Sequence, residues 1–415
     1  MTAEMEAIEY NKTWSLADLP PGRHAIGLKW VLKEKRDKQR PVSKHKVHLV
    51  VKGYTQRQGI DYDELFALVA RLDSVRMLIA LAVHEGWEIH QNGRQVGVPQ
   101  WGPIGRDVLL PSLGFKRSSS EHVVYVRRNS NAQLVVGVYV DDLVITGSNC
   151  DDIRLFKKKM AAAFKTSDLG LLHYYLGIEV KQSTSGISLS QGVDAAKIPE
   201  KSGMEGCNPC QVPMEARLKL SKFSSEPSVD ATIYRSIGES LRYLVNTRPD
   251  LAFAVGYVSR FLEDPREDHL AVVKHILRYV AGSKNWGVWF SRKEEHDRGD
   301  FLTRQQPNHL AIYEAEGAGT VKLAGSALRT PMLRVDNRSS ISLTKNPLLH
   351  GQSKHIQVKN HLVWEAAENG LINVEFIKSE EQLGDILTKP LGKTKFHELC
   401  SKIGLINISS EHNKA

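Results

Sequence analysis

Apolar and polar positions alternate over several short stretches of this chain, and each such stretch predicts a strand. Gly27–Lys35 (GLKWVLKEK) alternates, meets a polar bend at DKQRPVSK and continues into VHLVVKGYTQ, which together predict a long β-hairpin. VVYVRR, QLVVGVYV and LVIT predict strands between residues 123 and 146, and YYLGIEV and ISLS predict further ones. Helical spacing replaces alternation in Ser74–Val83 (SVRMLIALAV) and Asp152–Phe164. It returns from SLRYLV through Asp250 to Phe261, and again in His269–Val280. Gly93–Arg106 is rich in Gly and Pro and has no period, and Gly203–Ser228 reads as loop and supplies the expected domain boundary. From Trp286 onward short strands and helices mix. The whole is α/β (α+β) in several layers.

Composition narrows the class. With 415 residues, 41% hydrophobic and 25% charged, the chain is long enough for two or three cores, which excludes global disorder, a disulfide-stapled mini-protein or a coiled coil. Its longest apolar stretches, such as Leu134–Val140, are strand-sized, so no membrane span is expected. The acidic opening MTAEMEAIEY does not read as a signal peptide. Four cysteines suit a reducing compartment, so an intracellular location, cytoplasmic or nuclear, is expected. The net charge of +9 is concentrated: Arg23–Arg57 holds eleven Lys and Arg against Glu34 and Asp37, which accounts for the whole excess. Such a patch attracts a phosphate backbone or a polyphosphate, but a solvated lysine-rich hairpin has the same composition. Charge alone leaves both open.

Tyr139-Val140-Asp141-Asp142 lies between VVGV and LVIT. Two successive carboxylates in an apolar strand would face opposite sides, one of them the core, at high cost. At a hairpin tip the cost falls, and the pair can serve a hard divalent cation or simply decorate a turn.

In this frame YVDD resembles the metal-binding hairpin of reverse transcriptases. The surrounding text is similar to the reverse transcriptase and ribonuclease H region of copia-type LTR retrotransposon Pol polyproteins. The similarity runs through WSLADLPPGRHAIGLKWVLKEK, LVVKGYTQRQGIDYDELFALVAR, LGLLHYYLGIEV, CNPCQVPME, RPDLAFAVGYVSRF, VDNRSSISLTKNPLLHGQSKHI and QLGDILTKPL. It implies fingers, palm and thumb followed by a ribonuclease H-like mixed α/β domain. The corresponding segments are residues 10–200 (fingers and partial palm), 201–285 (thumb and connection helices) and 286–410. It further implies DNA synthesis on an RNA or DNA template-primer from dNTPs, with Mg2+ as cofactor. By the same resemblance Asp141 and Asp142 are the polymerase carboxylates, and Lys33, Lys35, His48 and Lys52 hold template and triphosphate. Glu316, Asp336 and Asp385 are the hybrid-cutting acids, and Asp141, Asp142, Asp336 and Asp385 are the metal ligands. LGLLHYYLGIEV falls where the primer strand is gripped.

The chain also departs from that pattern. The family string D-V-x-x-A-F-L-N-G, carrying the first catalytic aspartate, should follow WEIHQ, yet Gln91 is followed directly by Asn92-Gly93. The S-L-Y-G-L-K-Q block is missing too, and Asp107 in the replacement text lacks the family's flanking residues. The S-D-x-D-W-A-G opening of the second domain is replaced by SRKEEHDRGDFLTRQQPN, where Asp297 and Asp300 sit in loop-like text. Gly317 and Gly319 follow Glu316 in an expected helix, and His48 replaces an arginine and its bidentate fork. Cys207-x-x-Cys210 lacks a second Cys/His pair at finger spacing and encloses Asn-Pro, a turn signal. The expectation is an internally deleted, degenerate copy in which polymerase and nuclease activity are lost. The alternatives are a non-catalytic nucleic-acid-binding remnant and a chain that does not fold.

Overall fold

The computed structural model describes residues 18–36 except 20 and 23, 42–59 except 58, 72–94, 109–118, 121–129, 132–139, 142–164, 166–292, 332–338 except 337, 341, 367–370 and 373–411. In chain order its elements are β1 (Leu28–Arg36), β2 (Val42–Val51), α1 (Leu72–Glu85), β3 (Ile89–Arg94), β4 (Lys116–Arg117), β5 (Val124–Asn129), β6 (Ala132–Tyr139) and β7 (Asp142–Gly147). Next come α2 (Cys150–Phe164), β8 (Thr166–Leu171), β9 (Tyr174–Tyr175), β10 (Ile178–Gln182), β11 (Gly186–Ser190), α3 (Gly192–Lys201), α4 (Ala231–Leu244), α5 (Ala252–Val258), α6 (Glu267–Gly282) and β12 (Trp286–Ser291). Then follow β13 (Met332–Val335), β14 (Asn373–Phe376), α7 (Asp385–Thr388), α8 (Lys393–Lys402), β15 (Leu405–Asn407) and α9 (Ile408–Glu411). The chain divides into two compact units, one of residues 1–71, 90–117 and 122–170, the other of 72–89, 118–121 and 171–415.

The first unit contains the expected basic hairpin, β1 against β2, running in register from Leu28 opposite Val51 to Lys35 opposite Lys44. It also contains a six-stranded sheet in the order β4-β5-β6-β7-β3-β8. Alternation along the strands decides what each face does. Leu134, Val136 and Val138 of β6, with Leu143 and Ile145 of β7, pack on Ile153, Phe156 and Met160 of α2. Phe115 joins them with its ring 5.2 Å from that of Phe156. Asp151 and Asp152 in the first turn of α2 suit the positive end of its dipole, and Asp152 also pairs with Arg127 at 3.2 Å. At Gly147 only a missing side chain lets β7 close on β6, because a Cβ there would lie 2.5 Å from the Gln133 carbonyl oxygen.

The second unit is built on a five-stranded antiparallel sheet in the order β15-β12-β11-β10-β9, so strands from 174–190, 286–291 and 405–407 share one layer. Helix α6 buries Val273, Ile276, Leu277 and Val280 at helical spacing. Helix α4 starts on Asp230, whose carboxylate accepts hydrogen bonds from the Thr232 and Ile233 N–H groups at 2.7 and 3.3 Å. The expected helix through Asp250 to Phe261 is broken instead. It ends at Leu244, a 3-10 turn occupies Pro249–Leu251, and α5 restarts at Ala252. Pro249 is the cause, because the residue before a proline is driven out of the helical region and Arg248 sits at φ −129°, ψ 70°. The expected loop is present, since 203–227 holds only turns and bends. Among the described residues, no helix is long and apolar enough to cross a membrane.

Candidate functional site

The first candidate lies at the end of the β6–β7 hairpin. Tyr139 stands opposite Asp142, while Val140 and Asp141 lie outside the described residues. Leu143 and Ile145 point into the core under α2, so Asp142, one residue earlier, belongs to the face turned away from that helix. The neighbouring strand β3 brings Gly93 beside it, and a Cβ on Gly93 would stand 3.5 Å from Asp142 Oδ1. Asn92-Gly93, which the sequence presents as the tail of an excised string, is therefore the middle of a strand. The other face of β3 is occupied: Asn92 donates to Thr166 Oγ1 at 3.1 Å, and His90 Nδ1 lies 3.0 Å from the Lys157 ammonium of α2.

Lys157 is itself nearly buried and reaches Asp168 of β8 at 2.6 Å. Burial pushes the Asp168 carboxyl up, but the Lys157 ammonium and the Gly170 N–H together outweigh it and hold the group below its ordinary value. A depressed carboxylate stabilises the fold above its unfolded pKa, and that stability is lost as pH falls through the folded value. Asp168→Asn is expected to lower stability by less than about 1 kcal/mol at neutral pH, since the carboxylate is half exposed. Urea unfolding should show this difference closing as pH falls below 3.8.

The basic hairpin forms the second candidate. Its register sets Lys33 against Lys46, Lys35 against Lys44 and His48 against Val31. Like charges at directly opposed positions disfavour strand pairing, so a polyanion that neutralises them is favoured on this ribbon. Lys52 follows β2, is exposed, and donates its backbone N–H to the Gly27 carbonyl at 2.9 Å. Its stem runs along Gly27, where an added Cβ would lie 3.0 Å from Lys52 Cδ.

The third candidate lies in the second unit, where β13 and β14 run parallel and Asp336 follows the end of β13. Asp385 opens α7. The structure brings these two acids to one cation: Lys389 Nζ is 2.7 Å from Asp385 Oδ1 and 4.0 Å from Asp336 Oδ2. The hydrogen bond to Asp385 raises the Lys389 pKa, and Ser379 Oγ donates to Asp336 Oδ2 at 3.3 Å. One ammonium thus sits between the two carboxylates and offsets one of their two negative charges. Glu316, Asp107, Asp297 and Asp300 lie outside the described residues.

The Cys207–Cys210 loop places the Cys210 thiol within 3.3 Å of the His275 carbonyl oxygen, and burial pushes that thiol up. Among the described residues no group of three or more His, Cys, Asp and Glu side chains could hold a metal ion. The residues that sequence reasoning missed are Gly93, Lys157 and Lys389. Strand alternation continued through WEIHQNG would have put Gly93 on the face opposite His90, and the i,i+4 spacing of Asp385 and Lys389 marks that pair, whereas nothing local marks Lys157 as the partner of Asp168 or Lys389 as the partner of Asp336.

Residues 11–100 and 100–216 match the family described as reverse transcriptase (RNA-dependent DNA polymerase). The Retrovirus-related Pol polyprotein from transposon RE1 of Arabidopsis thaliana is 28% identical over 98% of this chain and 34% of its own length. That from transposon TNT 1-94 of Nicotiana tabacum is 28% identical over 97% of this chain and 37% of its own length. A putative transposon Ty5-1 protein of Saccharomyces cerevisiae is 33% identical over 47% of this chain and 64% of its own length. The chain thus spans about a third of the length of the Pol polyproteins it matches. No solved structure matches it. The chain belongs to the reverse transcriptase family of copia-type retrotransposon Pol polyproteins.

Proposed function

We propose that this chain holds nucleic acid on a reverse transcriptase scaffold without extending a primer or cutting a hybrid. The observation that carries the reading is the composition of the palm. β7 supplies Asp142, and the strand beside it supplies Gly93 where a second donor would be needed. Mg2+ takes a near-octahedral shell of oxygens and keeps several waters, so it needs carboxylates converging from separate elements. Among the described residues the donor set does not fit it. The Pol relatives support the same reading, because the match to RE1 runs over 493 residues while this chain has 415, so the excess faces gaps here. For the second activity, Asp336 and Asp385 already share the Lys389 ammonium, which offsets one of their two negative charges. The basic ribbon β1–β2 keeps its lysines, which supports retained binding of a template-primer backbone.

The test is primer extension on a primed RNA template with Mg2+ or Mn2+, beside a binding titration on the same duplex. No incorporation is expected, together with binding in the range of about 1–100 μM at physiological salt, typical of contacts to phosphate alone. Incorporation that vanishes in Asp141→Asn would overturn the reading.

A further inference from the structure

We propose that residues 379–411 are a docking module, and that the outer edge of β12, with α5 and α6, forms a seat that binds this segment even when it is supplied on a separate polypeptide.

Four observations carry it, all within the second unit. The pairing is not imposed by a tight connection. β15 lies beside β12 with Trp286 opposite Asn407 and Val288 opposite Leu405, although residues 293–378 intervene before the segment begins. With no short turn to set the register, the fit of the two faces selects it. The main chain then supplies strand addition. Beyond the ladder, the Trp289 N–H donates to the Gly404 carbonyl at 2.8 Å and the Ile408 N–H to the Asn285 carbonyl at 3.0 Å.

The side chains supply the fit. Ile386 and Leu387 of α7, Phe396 and Leu399 of α8, and Leu405 and Ile408 at β15 are all buried. Phe396 meets the Tyr279 ring of α6 edge-on at 5.7 Å, and α7 packs on α5 and on the turn at Pro249–Leu251. Two glycines are shaped for the contact. A Cβ on Gly287 of β12 would lie 2.6 Å from Ile408 Cδ1, and one on Gly404, at φ +74°, would lie 2.9 Å from the Trp289 carbonyl oxygen. Finally, the seat needs an occupant. Without β15, β12 (WGVWFS) is an apolar edge strand whose unpaired N–H and C=O groups are a template for another chain. The string that carries Asp385 therefore has a use in this chain that needs no hybrid-cutting chemistry.

The experiment co-expresses a tagged piece, residues 311–415, with the untagged full chain, either parent or Leu405→Asp/Ile408→Asp, and captures the piece on its tag. The parent's own segment fills its seat and, as an intramolecular partner, outcompetes a separate piece. The variant's own segment cannot, so the piece is expected to carry at least about tenfold more variant than parent. Lys393→Glu in the full chain, an exposed change on α8, should behave as the parent. Placing Leu405→Asp/Ile408→Asp in the piece as well should abolish capture. Equal capture of parent and variant overturns the inference. So does failure to capture the variant, including a variant that stays insoluble beside the piece, and so does capture that persists when both partners carry the substitutions.

Discussion

Asp250→Ala is expected to cost the second unit about 3–5 kcal/mol, because it strands a buried guanidinium. Arg248 and Asp250 are each 1% exposed and meet in two parallel hydrogen bonds, Nε to Oδ1 at 3.0 Å and Nη2 to Oδ2 at 2.7 Å. Arg248 also donates to the Ser283 carbonyl and hydroxyl, both at 2.7 Å. Tyr279 donates its hydroxyl to Asp250 Oδ2 at 2.6 Å. Burial, then the Asp250 carboxylate, push the Tyr279 phenol well above its ordinary value, so it remains a donor across the accessible pH range. The cluster ties the turn before α5 to the end of α6. Removing both charges together, as in Arg248→Met/Asp250→Leu, should cost much less than removing one, since no unpaired charge is then left inside. Urea unfolding of the two variants checks this. An Asp250→Ala chain whose midpoint stays within experimental error of the parent would show that water reaches Arg248.

The second large effect concerns the ribbon. Reversing charge in Lys33→Glu/Lys35→Glu/Lys52→Glu should flatten the plot of log affinity for duplex against log salt by about 2.7, each phosphate contact being worth about 0.9. The loss should be nearly the same for unrelated duplex sequences, because phosphate contacts fix position without reading bases. All three residues lie on or beside one two-stranded ribbon in which lysines already oppose lysines, so the substitutions also relieve repulsion between the strands. The folded ribbon should therefore survive them, and far-ultraviolet circular dichroism should not change. A slope equal to the parent's would place the binding surface elsewhere on the chain.

Much of this architecture is legible along the chain because it is local. The β1–β2 ribbon, the β5–β6–β7 run and helices α1, α2 and α6 follow from alternation or helical spacing, and in the β5–β6–β7 run and the helices the apolar face meets a core. The break before α5 was legible in principle, at Arg248-Pro249, but the apolar spacing on either side reads as one helix. The candidate sites divide in the same way. Asp142 is legible because two carboxylates in an apolar strand need a special place. Its deficiency is legible only as a gap in a family string, and the residue that now fills the space is a property of the sheet.

The amino-acid sequence by itself determined the strand and helix periods, the concentration of positive charge between Arg23 and Arg57, and the membership of a reverse transcriptase family. Each of these is a matter of neighbours within a few residues or of strings long enough to identify themselves. Only the tertiary structure decided that Gly93 lies beside Asp142, that Lys389 joins Asp336 to Asp385, and that Arg248 is buried on Asp250 and Tyr279. Most of those partners lie some thirty to fifty residues apart, and Arg248 and Asp250 meet only because Pro249 bends the chain between them. No periodicity encodes such pairings. They follow from which strand enters the sheet next to which, and from what each buried charge must find once water is excluded.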